Sequence, residues 1–257
     1  MAGAEAKKSD LPARVASAVV MVAVAGSALW LGSWAWSLFV AAVALGVLWE
    51  WIKLANAITA KPWARALWLV GGVVYIGVAA GLLAVMNDGH TSLFVYMVLV
   101  AVIATDIGAY FAGRSFGGPK IAPSISPSKT WSGLIGGALA AGLSISALLW
   151  LIGCRVAMDN DCGNNEWWSD LRTSIPTGAL IAVAAQAGDF FESWMKRRAG
   201  VKDSGKLLPG HGGLFDRVDG LLAVSFVVAV CALGVVLAMG ASPFDTYQTH
   251  ATIRVQQ

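Results

Sequence analysis

A chain of 257 residues that is 57% hydrophobic and only 13% charged is no soluble globular domain, in which about 25% of residues carry charge. A mean hydropathy of +0.68 places it among the polytopic membrane proteins. The net charge of +3 is too small to indicate a partner by itself, and no nucleic acid is expected to bind.

Residues 1–13 read as a short polar tail with Lys7 and Lys8, followed by a membrane domain over 14–240 and a second tail over 241–257. The first apolar segment is long and lacks a small-residue cleavage site, so no cleavable signal peptide is expected. Seven stretches are long enough to cross a bilayer, which takes roughly 17–25 apolar residues. They are Val15–Leu31, Trp34–Leu54, Ala66–Met86, Leu93–Phe111, Leu134–Ile152, Ile175–Phe191 and Val218–Met239. Helices are the only reading for them, because an unpaired backbone is too costly in lipid. The expected fold is therefore all-α with about seven transmembrane helices, or seven to nine if broken or re-entrant segments near Phe111–Trp131 are counted.

The distribution of basic residues orients the bundle. With the N-terminus in the cytoplasm, 15 of the 18 lysines and arginines fall inside, and only Arg155, Arg172 and Arg254 fall outside. Trp34, Trp36, Trp49, Trp51, Trp63, Trp167 and Trp168 sit near span ends, as interfacial anchors do. Gly133, Gly136 and Gly137 mark a helix face suited to close packing. Cys154 and Cys162 share the outer loop and are candidates for a disulfide, whereas Cys231 reads as a core residue. No zinc-ligand spacing is present.

Three polar clusters then share the cytoplasmic side. In Thr105–Gly118, Asp106 and Tyr110 are four apart and share a helix face, with Arg114 beyond them. An ionisable residue inside a span is a functional candidate by default. In Ser124–Gly133, the residues Ser126, Lys129 and Thr130 suit either an anion-binding turn or a helix start capped by Thr130 or Ser132. The third cluster, Gly188–Gly220, is the richest. Asp189 and Glu192 are three apart at the end of one span, and Asp216 and Asp219 are three apart at the start of the next. Such carboxylates suit Mg²⁺, which takes one or two of them together with substrate phosphates. Between them lie Lys196, Arg197, Lys202, Asp203, Lys206 and His211. Gly205, Gly210, Gly212 and Gly213 would let the backbone approach a ligand.

The run from Ser193 to Asp219, SWMKRRAGVKDSGKLLPGHGGLFDRVD, resembles the phosphatidate cytidylyltransferase family, the CDP-diacylglycerol synthases. The resemblance extends to Asp106–Gly117, to Ser126–Thr130, and to Gly188, Asp189, Glu192 and Ser193. One departure is Ser132, where the family often has an acid. The resemblance implies that CTP and phosphatidate give CDP-diacylglycerol and pyrophosphate, with the lipid phosphate attacking the CTP α-phosphorus. It implies Asp189, Asp216 and Asp219 as Mg²⁺ ligands and catalytic residues, with Asp106, Glu192 or Asp203 serving any second ion. Lys129, Lys196, Arg197, Lys202 and Arg217 would bind the triphosphate or the lipid phosphate. His211 would donate to the departing pyrophosphate or bind phosphate. Asp106, Tyr110, Arg114, Ser126, Thr130, Ser193, Asp203, Gly210, Gly212 and Gly213 complete the expected substrate site. The implied setting is the bacterial inner membrane, with membrane lipids around a homodimer. Two other readings compete: a CTP-dependent polyprenol or dolichol kinase, and an ion-coupled transporter. A transporter would spread its acids through the midplane, whereas here they gather at one face.

Overall fold

The computed structural model describes residues 11–87, 92–156, 167–208 and 212–238. Along them run α1 (Leu11–Leu31), α2 (Ser33–Ile58), α3 (Pro62–Val85), α4 (Ser92–Phe116), β1 (Lys120–Ala122), β2 (Ser126–Thr130), α5 (Trp131–Val156), α6 (Trp167–Ala199) and α7 (Phe215–Ala238). Each of the seven expected apolar segments falls on one of these helices, to within a residue at its ends. The first helix begins at Leu11, inside what reads as the N-terminal tail. The stretch between Phe111 and Trp131 departs from the all-α expectation. It holds no additional helix but an antiparallel hairpin, with Lys120 opposite Thr130 and Ala122 opposite Ser126. Gly117 and Gly118 lead out of α4 at φ 60° and 100°, a backbone that side-chain-bearing residues rarely adopt.

Five helices are long and apolar enough to span a bilayer: α2, α3, α4, α5 and α7. The molecule is therefore a polytopic membrane protein. α1 adds a shorter apolar stretch, Val15–Leu31. α6 has 33 residues, about 50 Å at 1.5 Å per residue, which exceeds a hydrocarbon core of about 30 Å. Its basic last turn, Lys196–Arg198, thus lies beyond its apolar part. Large apolar side chains such as Val22, Trp30 and Leu180 are exposed on the outer faces, as lipid-facing residues are.

Two kinds of packing hold the bundle. Between α4, α5 and α6 backbones nearly touch. A Cβ on Gly108 would stand 2.6 Å from the Gly136 carbonyl, one on Gly137 would stand 2.9 Å from that of Thr105, and one on Gly178 would run into the Gly142 backbone. The small-residue face expected at Gly133–Gly137 is this seam. On the other side, α2, α3, α6 and α7 meet through aromatic rings. Trp51 packs against Trp68, Tyr75, Phe191 and Phe215, with centroids 5.7–6.0 Å apart. Trp51 donates to the Trp68 carbonyl at 2.8 Å and Trp36 to that of Leu83 at 2.7 Å. These two tryptophans are therefore core residues and not interfacial anchors, because a buried indole N–H needs an acceptor. Trp34, Trp49 and Trp63 are exposed. Cys231 is exposed on α7 rather than buried. The Cys154–Cys162 pairing lies outside the described residues.

Candidate active site

The C-terminal ends of α4 and α6, the hairpin, and the start of α7 converge at one end of the bundle around a cleft of about 810 Å³. The sequence-predicted residues that line it are Asp106, Tyr110 and Arg114 from α4, Lys129 and Thr130 from β2, and Asp189, Glu192, Ser193, Lys196 and Arg197 from α6. Lys202 and Asp203 come from the following loop, and Asp216, Arg217 and Asp219 from α7. Three polar lining residues were given no individual role by the sequence reading: Lys120, Gln186 and, inside the Ser126–Thr130 run, Ser128. Lys120 and Ser128 were hidden because the hairpin that presents them was not foreseen. Gln186 had a signal, being a polar residue one turn before Asp189 in an apolar helix. It is buried, and its Oε1 has no partner. Ser126 is buried and is not among the lining residues. Gly210 and His211 lie outside the described residues.

α6 ends where its sequence says it must. Gly200 takes φ 70°; its amide donates to the Arg197 carbonyl, and that of Val201 to Lys196. This paired closure needs a left-handed residue just past the helix. Lys196, Arg197 and Arg198 in the last turn complement the helix dipole. At the other end of the hairpin, the Gly133 amide donates to Thr130 Oγ1 at 3.1 Å. Thr130 thus caps α5, one of the two roles its sequence context allowed.

Two lysines organise the charges. Lys129 pairs with Asp189 and lines the same cleft as Asp106 and Asp219. Asp189 accepts a long bond, 3.4 Å, from Ser193 Oγ. Lys196 lies between Glu192 at 2.5 Å and Asp216 at 2.6 Å. Burial is the main cause that lifts the Glu192 carboxyl to about 9, with the adjoining Asp216 adding to it. Burial alone would lower the Lys196 ammonium, but its bonds to Asp216 and Glu192 outweigh that and hold it above the usual lysine value.

Asp216 is more heavily bonded than a free ligand. Its Oδ2 accepts from the Ser204 amide at 3.0 Å, the Ser204 hydroxyl at 3.0 Å and the Gly213 amide at 2.9 Å. Among the described residues, no three His, Cys, Asp or Glu side chains form a group ready to hold an ion. The expected triad of Asp189, Asp216 and Asp219 is therefore not assembled as such. The donor chemistry still suits a divalent cation completed by substrate phosphates, since Asp106, Asp189 and Asp219 gather round one lysine on the cleft wall.

The glycines of the loop answer to something other than substrate. Glu50, from the last third of apolar α2, is fully buried. Its carboxylate accepts from the Leu214 amide at 3.0 Å, the Phe215 amide at 2.8 Å and Ser204 Oγ at 3.0 Å. A Cβ on Gly205 would collide with Glu50 Oε1, and one on Gly213 would stand 2.7 Å from Oε2. Gly205 and Gly213 are small because a protein carboxylate fills that space. Gly212, at φ 82°, is required by its backbone, and it bridges Leu208. The N-terminal anion site of α7 is thus filled from within, and the Gly213 amide is engaged by Asp216. Glu50 was legible as a lone acid in a span, by the reasoning applied to Asp106, but only the fold shows what it meets.

Residues 57–234 match the cytidylyltransferase family, a region that takes in all the cleft residues and stops short of Glu50. A protein of Brucella suis named phosphatidate cytidylyltransferase is 35% identical, over 84% of this chain and 91% of its own. Proteins of the same name from Rickettsia bellii and Rickettsia felis are 32% and 30% identical, over 84% and 86% of this chain and 88% and 92% of theirs. With the cleft in place and these matches spanning most of its length, the chain belongs to the cytidylyltransferase family.

Proposed function

We propose that this chain is a phosphatidate cytidylyltransferase, converting CTP and phosphatidate to CDP-diacylglycerol and pyrophosphate. The carrying observation is the cleft itself. It gathers basic side chains and carboxylates from four elements at one end of an apolar bundle, where a soluble nucleotide and a lipid head group can meet. Beside it, an apolar cavity of about 440 Å³ is lined by Trp51, Trp68, Tyr75, Phe191 and Phe226, with Gly188 in its wall. Gly188 adjoins Asp189, so this cavity would receive acyl chain next to the place where the head group reacts.

In this reading all seven helices cross the inner membrane, the N-terminus is cytoplasmic, and the cleft opens to the cytoplasm in each subunit of a homodimer. Lys120, Lys129, Arg197, Lys202 and Arg217 hold the anionic groups of the two substrates. Lys196, already held by Glu192 and Asp216, orients that wall. Asp189 and Asp219 are the carboxylates that would hold Mg²⁺, with Asp106 and Asp216 as further donors. When bound, the ion neutralises phosphate charge so that two anions can approach. A lipid phosphate oxygen then bonds to the α-phosphorus as the bond to the β-phosphate bridging oxygen breaks, and pyrophosphate leaves. No strong base is needed, because that phosphate is already ionised at neutral pH.

Purified protein supplied with phosphatidate, CTP and Mg²⁺ should release pyrophosphate matched by CDP-diacylglycerol. Absence of lipid-dependent turnover across metals and detergents would overturn the assignment. Formation of polyprenyl phosphate from a polyprenol would replace it with the kinase reading.

A further inference from the structure

We propose that Glu50 is a positioning residue for this site, resting on the cytidylyltransferase reading above. It stands in α2 and lines no part of the cleft, yet it sets where one wall of the cleft begins. A carboxylate buried near the end of an apolar span needs partners to be tolerated at all. Here its partners are the two amides that open α7 and the hydroxyl of Ser204. Those amides are donors that a helix start leaves unpaired, and the helix dipole favours an anion there.

The same hydroxyl lies 3.0 Å from Asp216 Oδ2, so Ser204 couples a membrane-buried acid to a cleft acid. Its one hydrogen serves either carboxylate, and its amide donates to Asp216 as well. Asp216 in turn holds Lys196, and Asp219 follows one turn later on α7. Glu50 therefore fixes the register of α7 against α6, and with it the distance of Asp216 and Asp219 from Lys196 and Lys129. Gly205 and Gly213 admit this contact and no bulkier one. Substrate binding alone would give no reason for a side chain at either position to collide with Glu50 or Ser204.

The test uses the full chain in lipid nanodiscs, with Glu50→Gln and Ser204→Ala. Amide hydrogen exchange is read without substrates. In Glu50→Gln, protection at one of Leu214 and Phe215 should fall at least about tenfold, because the NH2 that replaces one carboxylate oxygen cannot accept the bond that oxygen took. With substrates, the Mg²⁺ concentration for half-maximal activity should rise about tenfold, the scale seen when a ligand's supporting partner is removed, while KM for phosphatidate stays within about twofold of wild type. Glu50→Asp should restore part of both effects. Ser204→Ala keeps the two amide bonds to Glu50 and the Ser204 amide on Asp216, and removes the hydroxyl that joins Glu50 to Asp216. It should therefore shift Mg²⁺ dependence while sparing exchange at Leu214 and Phe215. If Glu50→Gln does not fold, Ser204→Ala decides: an unchanged Mg²⁺ midpoint overturns the positioning role. A folded Glu50→Gln with wild-type exchange and wild-type Mg²⁺ midpoint overturns it outright. Were the wild-type chain inactive towards phosphatidate, the reading of the reaction would fall, and exchange at Leu214 and Phe215 would still decide for or against the Glu50 contact.

Discussion

Lys129 and Lys196 stand on the same cleft and are held in opposite ways. Lys129 reaches in from the hairpin to Asp189, and the two side chains are 23% and 30% exposed. Lys196 sits on α6 between Glu192 and Asp216, whose side chains are 1% and 10% exposed, and is itself 15% exposed. The better-solvated pair is screened more, so Lys129 can leave Asp189 for an anion at lower cost than Lys196 can leave its partners. A buried pair resists that exchange, because the abandoned carboxylate would stay desolvated. The hairpin side is thus the more adaptable wall, and the α6–α7 side is the fixed wall.

Three substitutions test this division, beginning with the largest effect. Asp219→Asn should lower CDP-diacylglycerol formation by about 10²–10³-fold, the equivalent of several kcal/mol of lost charge stabilisation. Size-exclusion profiles should remain those of wild type, and activity within tenfold of wild type would remove Asp219 from the site. Lys196→Ala should cost about 3 kcal/mol of stability, read as a lower unfolding midpoint in detergent, since it removes the cation paired with the buried Asp216 carboxylate and bonded to Glu192. Lys129→Ala should change that midpoint by no more than about 1 kcal/mol while raising KM for CTP. If Lys129→Ala proved the more destabilising of the two, the contrast between walls would be reversed.

Much of this was legible in advance, for definite reasons. Apolar runs in lipid can only be helices, so the seven segments emerged from hydropathy alone. Carboxylate pairs three apart at two span ends could be placed on one side of the membrane by counting. What could not be read was who touches whom. Gly205 and Gly213 looked like ligand-approach glycines because their neighbour, Glu50, is more than 150 residues away in sequence. Lys120, on three-residue β1, was passed over because its partner strand β2, rich in Ser, Pro and Lys, carries no β-propensity signal. Trp36 and Trp51 resembled interfacial anchors, since sequence position gives depth in the bilayer but not which face of the helix is buried.

The glycine seam offers a smaller test of the fixed scaffold behind the cleft. Gly178→Ala should destabilise by about 1–3 kcal/mol through overpacking, because its new Cβ would meet the Gly142 backbone, which cannot swing aside. Gly77→Ala is the matched comparison. Nothing lies within 4 Å of its would-be Cβ, so it should be neutral or slightly stabilising. Equal effects at the two positions would mean that the α5–α6 contact does not depend on backbone approach.

The smallest effect concerns Thr130, which the family resemblance places in the substrate site. It is 3% exposed, its Oγ1 accepts from the Gly133 amide, and the same oxygen lies 3.1 Å from Ser132 Oγ. A side chain so enclosed serves the helix start before it serves a ligand. Thr130→Ala should therefore cost about 1 kcal/mol of stability, the usual value of an N-cap, with KM for CTP and for phosphatidate both within twofold of wild type. Thr130→Ser, which keeps the oxygen, should recover most of the loss. A raised KM in Thr130→Ala at unchanged stability would return the residue to substrate contact. It would also show that the hairpin wall adapts through its hydroxyls as well as through Lys129.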